Sequence, residues 1–350
     1  MLPIHPLYAL MLSALTMTAC ATPPTAAPPA DTDPRWLVYD GDAETAPGYG
    51  RRIVFVSGDE EYRSEEGLPM LARGFAKHGF QTIVLLSQNE ETSEIDPEEP
   101  THIAGMHLID DADVLVLQLR FREFDDDDMQ HIMSHVDAGK PLTALRTTTH
   151  PFFYRTKKDS PFAAQSWNAP DGGFGKQIVG ETWVNHHGHH GKEATRGIVP
   201  EENKSHPVLR GVNDVFGPTD VYGIRSLPDD AIVMLNGGIV TGMNPSDALV
   251  DDERNNPMHP VAWLRERPMP NDATQRIVVT TMGTAQDLSS DDLRTYLFNG
   301  VLWQLGEEAS IPEQGYDVEI IGRWDPSPFG FGTHRKGVQV QEAKDGWPDR

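Results

Sequence analysis

The chain has 350 residues, with 53 acidic against 29 basic side chains, a formal net charge of −24 and a single cysteine. A surface this acidic repels phosphate backbones, which argues against nucleic acid as a partner, and no nucleotide cofactor is expected. One cysteine cannot close a disulfide within the chain, so the fold must be held by its core.

In chain order, Leu7 to Thr18 is a mostly apolar stretch too short to span a bilayer, ending in Met17-Thr18-Ala19-Cys20. Met1 to Pro6 lacks the Lys or Arg of a usual export signal, but the sole cysteine stands where a lipoprotein signal is cut and acylated. The pattern resembles a lipobox with Met17 in place of leucine. Residues 1–20 are therefore read as a lipoprotein signal peptide, with Cys20 as the lipidated residue. The expected location is the periplasmic side of the outer membrane, and the alternative is an incidental cysteine in a plain secretory signal. Residues 21–36 are rich in Pro and Ala and read as a semi-rigid tether.

Residues 37–310 are expected to form one α/β body. Arg52 to Gly58 is a continuous apolar run ending in glycine, as in a fully buried strand. Ser64-Glu65-Glu66 starts a helix, with Leu68, Leu71, Ala72 and Phe75 at helical spacing up to Gly79. Strands are predicted at Thr82–Leu86, Asp113–Leu117 and Leu142–Leu145, with a helix from Asp125 to Ala138 whose first-turn carboxylates suit the helix dipole. Ala231–Leu235 and Ile277–Thr281 extend the sheet, and Asp291–Leu305 is a closing amphipathic helix. Strand and helix alternating through short links predict a doubly wound, mostly parallel sheet in three layers, flavodoxin-like. Ligands of such a sheet bind at the carboxyl ends of its strands. Pro151 to Gly223 is long and glycine-rich and is expected to cap that face. In the tail, residues 311–350, Phe329 and Phe331 are expected to dock on the body, and residues after Gly337 to be disordered.

The segment His186-His187-Gly188-His189-His190-Gly191-Lys192 packs four imidazoles into seven residues. Imidazole is the commonest neutral metal ligand and titrates near neutral pH. The two glycines disfavour a helix, so the segment reads as a loop holding a divalent metal such as zinc through His186, His187, His189 and His190, or as a solvated polar loop. At the predicted strand ends, Glu60, Glu61, Tyr62 and Arg63 follow the first strand, and Gln118, Arg120 and Arg122 the third. The turn after the fourth strand reads Arg146-Thr147-Thr148-Thr149-His150, with no cysteine or serine nucleophile. Glu60, Tyr62, Arg63, Arg120, Arg146, Trp183 and Tyr222 are candidate substrate contacts. His186, His187, His150 and Glu61 are candidates for proton transfer, with Glu181 as an alternative carboxylate.

Several segments together resemble the ThuA-like (trehalose-utilisation) family, whose fold is that of class I glutamine amidotransferases. They are Gly180 to His186, His206-Pro207-Val208-Leu209-Arg210-Gly211, Asp220-Val221-Tyr222, Pro260-Val261-Ala262-Trp263, Arg276 to Gly283 and Asn299 to Trp303, in a consistent order. The chain departs from that family at Gly283-Thr284, where the family has Gly-His, and at Arg146, where a histidine is frequent. The doubled histidines mark a subfamily similar to exported proteins of glycan-degrading bacteria such as planctomycetes. The resemblance implies carbohydrate catabolism with a small, oxidised sugar or disaccharide as substrate, by metal- or histidine-assisted hydrolysis or isomerisation. The competing reading is a non-catalytic sugar-binding lipoprotein on an amidotransferase-like fold without its nucleophile.

Overall fold

The computed structural model of the chain describes residues 25–41, 43–316 and 318–348. The segment read as an export signal, Cys20 and the start of the expected tether lie outside the described residues.

Ten strands form one sheet. They are β1 (Leu37–Tyr39), β2 (Arg52–Gly58), β3 (Gln81–Leu86), β4 (Val114–Leu119) and β5 (Leu142–Leu145), then β6 (Thr195–Ile198), β7 (Val215–Gly217), β8 (Ala231–Ile239), β9 (His259–Pro268) and β10 (Thr274–Thr280). Among the described residues three α-helices, α1 (Ser64–Lys77), α2 (Asp126–Asp137) and α3 (Asp291–Gln304), accompany them. The strand order is β1-β3-β2-β4-β5-β10-β9-β8-β6-β7.

The central strands pair in parallel from β3 through β2, β4 and β5 to β10. Every residue of β2 is buried, and its side chains alternate between two cores. Ile53 and Phe55 pack with Leu68, Leu71 and Phe75 of α1 and with Leu297 and Val301 of α3. Val54 and Val56 pack with Met129, Ile132 and Val136 of α2. Helices on both faces explain why these strands read as unbroken apolar runs. The helices end where expected: Gly79 and Gly139 take φ of 89° and 70°, and Ser290 caps α3 by accepting the Leu293 amide.

Beyond β10 the sheet turns antiparallel through β9, β8, β6 and β7, and β1 is antiparallel at the other edge, so the expected parallel arrangement holds in the core of the sheet and not at its flanks. The reason is the link between β9 and β10. Residues 269–273, closed by the Met269 amide donating to Ala273 O at 2.9 Å, are too few for a crossover, so the two strands must form a hairpin. Strand β9 was not among the elements expected from periodicity, and it stands between β8 and the parallel core.

Both ends of the body differ from the sequence reading. Trp36 is buried and Arg52 donates to Pro28 O at 2.7 Å, so the end of the proline-rich stretch docks on the body. Residues 338–348 are ordered rather than disordered. Val338, Val340, Ala343 and Trp347 are buried in the same core as α1, and the Ile95 amide donates to Val338 O at 2.9 Å. Two valines, an alanine and a tryptophan with no repeating period gave no local signal, but together they pack against the core.

Candidate active site

The chain leaves β2 for β3 on one side and returns to β4 on the other, so the crevice between the carboxyl ends of β2 and β4 is the switch point of the sheet. Asp59 shapes the loop after β2. Its Oδ1 accepts the amides of Glu61 and Tyr62 at 2.9 and 3.1 Å, and its Oδ2 accepts the Thr147 hydroxyl at 2.5 Å. Burial, reinforced by the charge of Glu60, pushes the Asp59 carboxyl above the usual carboxylate range. The loop therefore presents Glu60 and Glu61 at the crevice. Glu60 is shared between Arg120 and Arg122, the latter at 2.6 Å. Glu61 faces Arg120 Nε at 3.7 Å and His190 Nε2 at 3.2 Å.

The turn after β5 makes a sharp elbow and carries an arginine there. Arg146 has φ 43°, a left-handed conformation that costs a non-glycine residue about 1–3 kcal/mol. Its guanidinium is fully buried and donates to Asp220 O at 2.9 Å, Thr281 O at 2.6 Å, Asp220 Oδ1 at 3.1 Å and the Tyr62 hydroxyl at 3.2 Å. It lies 3.8 Å from the ring centre of Tyr222 and 4.5 Å from that of Tyr62. The cation is thus enclosed by one carboxylate, two carbonyls and two aromatic faces.

Asp220 links this arginine to the histidine loop. The amides of His187 and Gly188 both donate to Val221 O, at 2.8 and 3.1 Å, which lays the loop along residues 220–222. Gly188 permits this approach, because a Cβ there would sit 3.3 Å from the Val221 nitrogen and 3.4 Å from the Asp220 Cβ. His186 Nδ1 then donates to Asp220 Oδ2 at 2.7 Å and His190 Nδ1 to Asp220 Oδ1 at 2.9 Å. The two rings are 4.6 Å apart, and their side chains are 34% and 36% exposed, so solutes reach them while Asp220 stays covered.

The four histidines do not converge as a group, which corrects the expected ligand set. His187 stacks on His259 at 4.0 Å and meets Arg254 O through Nε2 at 2.8 Å. His189 is largely exposed beside Glu193, 3.3 Å away. Residues 186 and 190 are four apart across a tight turn and meet on one side of it; the residues between them face elsewhere.

The surroundings separate the two imidazoles chemically. Hydrogen bonds to Asp220 and then Glu61 raise the pKa of His190 to about 9, so it is a cation at neutral pH. Burial works against ionisation of Asp220, but the Arg146 charge and the hydrogen bonds from His186 and His190 outweigh it and hold the carboxyl well below its usual range. In His186 it is Nδ1 that meets Asp220, so Nε2 is the ring nitrogen directed away from the carboxylate.

The other sequence candidates divide by exposure. Arg120 and Glu60 border the crevice with side chains 17% and 19% exposed, and Trp183 stands 5.7 Å from the His186 ring. Tyr62, Arg63, Arg146 and Tyr222 are fully buried and do not open onto the accessible rim, which departs from their expected role as substrate contacts. They position other groups: Arg63, for example, donates to Gly330 O at 2.8 Å in the tail. His150 is buried between Phe121 and Trp183, with Nδ1 3.0 Å from the Thr149 hydroxyl. Burial, and then the charges of Arg120 and Arg146, keep its imidazole neutral. Glu181 is committed to Lys176, the Ser226 amide and the Thr182 amide, so the acidic partner of the pair is Glu61.

Sequence reasoning missed Asp220 as a site residue, although it stood in a singled-out segment, and it missed Phe329. The Phe329 ring lies 5.5 Å from His190 and 5.6 Å from Tyr62. His186, His190 and Asp220 offer one ligand atom each within 4.8 Å of one another. Two imidazoles and a carboxylate are a donor set that fits zinc.

No protein-family model matches the chain, and no curated protein does. Among solved structures it is similar to a ThuA-like protein of Bacteroides uniformis at 12% identity and a TM-score of 0.45, over 76% of this chain and 95% of that one. A ThuA-like protein of Parabacteroides merdae is similar at 12% identity and a TM-score of 0.45, over 73% of this chain and 89% of that one.

Proposed function

We propose that the protein is an exported, lipid-anchored member of the ThuA-like family that performs acid–base chemistry on a carbonyl-bearing sugar. One observation carries this reading: a single buried carboxylate, Asp220, orients two accessible imidazoles side by side, and His190 also meets Glu61. His190, held between two carboxylates with its pKa raised to about 9, is the acid of the pair, and its neighbour His186 is assigned the base. His186 Nε2 takes a proton from carbon or hydroxyl next to the sugar carbonyl. His190, cationic between Asp220 and Glu61, donates to the oxygen on which charge develops. Arg146 keeps Asp220 ionised through the cycle, and Trp183 offers an aromatic face to a sugar ring. Proton relocation of this kind gives isomerisation, or cleavage when a leaving group stands β to the carbonyl. In a metal-dependent form of this reading, His186, His190 and Asp220 would instead hold a divalent ion such as zinc, which would polarise the carbonyl or activate a water, and the two imidazoles would then serve as ligands rather than as acid and base. The ordered motif series from Gly180 to Trp303 supports the family reading and its amidotransferase-like, three-layer fold.

The test is solvent deuterium incorporation into a panel of keto-sugars and keto-disaccharides, with untagged protein. His186→Ala is expected to slow exchange by roughly 10²–10⁴-fold, the usual contribution of a positioned acid or base, whereas His187→Ala leaves it unchanged. Equal loss in both variants, or exchange at wild-type rate in His186→Ala, rejects the assignment. The competing reading, a sugar-binding protein without turnover, rests on the elbow: Thr147 and Thr148 turn inward to Asp59 and Leu117 O, so the turn presents no nucleophile. Saturable sugar binding with no exchange on any member of the panel favours it.

A further inference from the structure

The tail forms a strap across the crevice. The Ser327 amide donates to Glu66 Oε2 at 2.7 Å, the Gly330 amide to Glu61 O at 2.8 Å, and Arg63 donates to both Gly330 O and the Thr333 hydroxyl. These contacts bring Phe329 against His190, and place the half-exposed Phe331 ring 4.9 Å from the Arg120 guanidinium. The next residue after Thr333 is His334, and it enters the protein: its side chain is 3% exposed.

His334 has no adequate partner there. Its Nε2 is 3.8 Å from Asp96 Oδ1 and its Nδ1 is 3.9 Å from Glu98 Oε1, both beyond hydrogen-bond reach, and Nδ1 is buried without any hydrogen bond. A buried ring nitrogen is costly to leave unpaired. One ligand atom from each of the three residues lies within 4.8 Å of the others. Ligands of a tetrahedral ion with bonds near 2.1 Å stand roughly 3.4 Å apart, so the set is completed by a shift of about an ångström in the Asp96 and Glu98 side chains, which are 36% and 46% exposed. One imidazole and two carboxylates suit a divalent transition ion, with its remaining positions left to water.

We propose that Asp96, Glu98 and His334 form a site for a divalent transition-metal ion that pins the strap to the loop after β3. The ion joins two segments that are distant in sequence and fixes the end of the strap that carries Phe329 and Phe331. It is separate from the His186–His190–Asp220 cluster and needs none of those residues.

Zinc binding to the untagged full chain tests this, measured by titration calorimetry together with hydrogen exchange of the peptide spanning residues 325–337. A His186→Ala/His190→Ala background removes the other donor cluster. One zinc is expected to bind in that background and to slow exchange in the strap. Binding and protection are both expected to be lost in His334→Ala, and equally in Asp96→Asn/Glu98→Gln, whose changes are at the surface and leave the buried ring in place. Absence of zinc binding in the background variant overturns the proposal. So does zinc binding that survives either ligand variant, or binding that leaves exchange of the strap unchanged.

Discussion

Asp220 and His190 are held together at 2.9 Å, and the aspartate that orients this imidazole also neutralises the fully buried guanidinium of Arg146 at 3.1 Å. The same carboxylate therefore serves the stability of the core and the protonation of the site. A change at either partner is read at the other.

His190 makes the first prediction. Its folded pKa of about 9 lies above the ordinary histidine value of 6.5, so it binds its proton more tightly in the folded protein. The stability it contributes is full below about pH 6.5 and is lost as pH rises through about 9. Thermal unfolding of wild type and His190→Gln should differ at pH 6 and converge above pH 9. Because the ring is partly exposed, solvent screening keeps the difference small. A difference independent of pH contradicts the prediction.

Asp220→Ala should be far more damaging than a surface substitution. Removing one partner of a buried ion pair leaves the Arg146 charge enclosed and costs about 3–5 kcal/mol. Urea denaturation measures it, and a loss below about 1 kcal/mol, the range of exposed pairs, would show that water replaces the carboxylate.

Truncation after Gly337 tests the tail. Val338, Val340, Ala343 and Trp347 are buried, and each fully buried valine is worth about 1.5–3 kcal/mol. The truncated protein should be less stable by roughly 3 kcal/mol or more, read from its urea midpoint. An unshifted midpoint would mean that the tail does not pack in solution.

Glu65 offers a stabilising substitution. Both carboxyl oxygens are buried without hydrogen bonds, and burial, followed by the charge of Glu66, lifts the pKa to about 8. The unfolded chain ionises this group at about pH 4.5 and the folded protein does not until about 8, so stability falls as pH rises between those values. Glu65→Gln removes that dependence. It should stabilise the protein at pH 7 by on the order of 1–3 kcal/mol and have little effect at pH 4, measured by thermal unfolding in parallel buffers. Equal effects at both pH values would indicate a packing change instead.

What could be read from the linear chain was whatever repeats locally. The runs Arg52–Gly58 and Leu142–Leu145 became buried parallel strands, and Leu68, Leu71 and Phe75 became the inner face of α1. The loops at the strand ends, with Glu60, Glu61 and Arg120, came out on one rim because the direction of a parallel sheet dictates it. The histidine cluster was legible as chemistry but not as geometry. Four imidazoles in a row look equivalent, and only the position of Val221 and Asp220 selects His186 and His190.

The sequence by itself determined the acidic surface, the core strands and helices, and the absence of a thiol or serine at the elbow, because composition and hydrophobic period are properties of short windows. Tertiary structure alone decided that the far half of the sheet turns antiparallel, that four candidate substrate contacts are buried, and that Asp220 is the centre of the site. Arg146 and Asp220 are 74 positions apart, and no local pattern encodes a charge pair closed over that distance. It forms because a buried guanidinium must find a carboxylate, and folding brings only one within reach of both arginine and histidines.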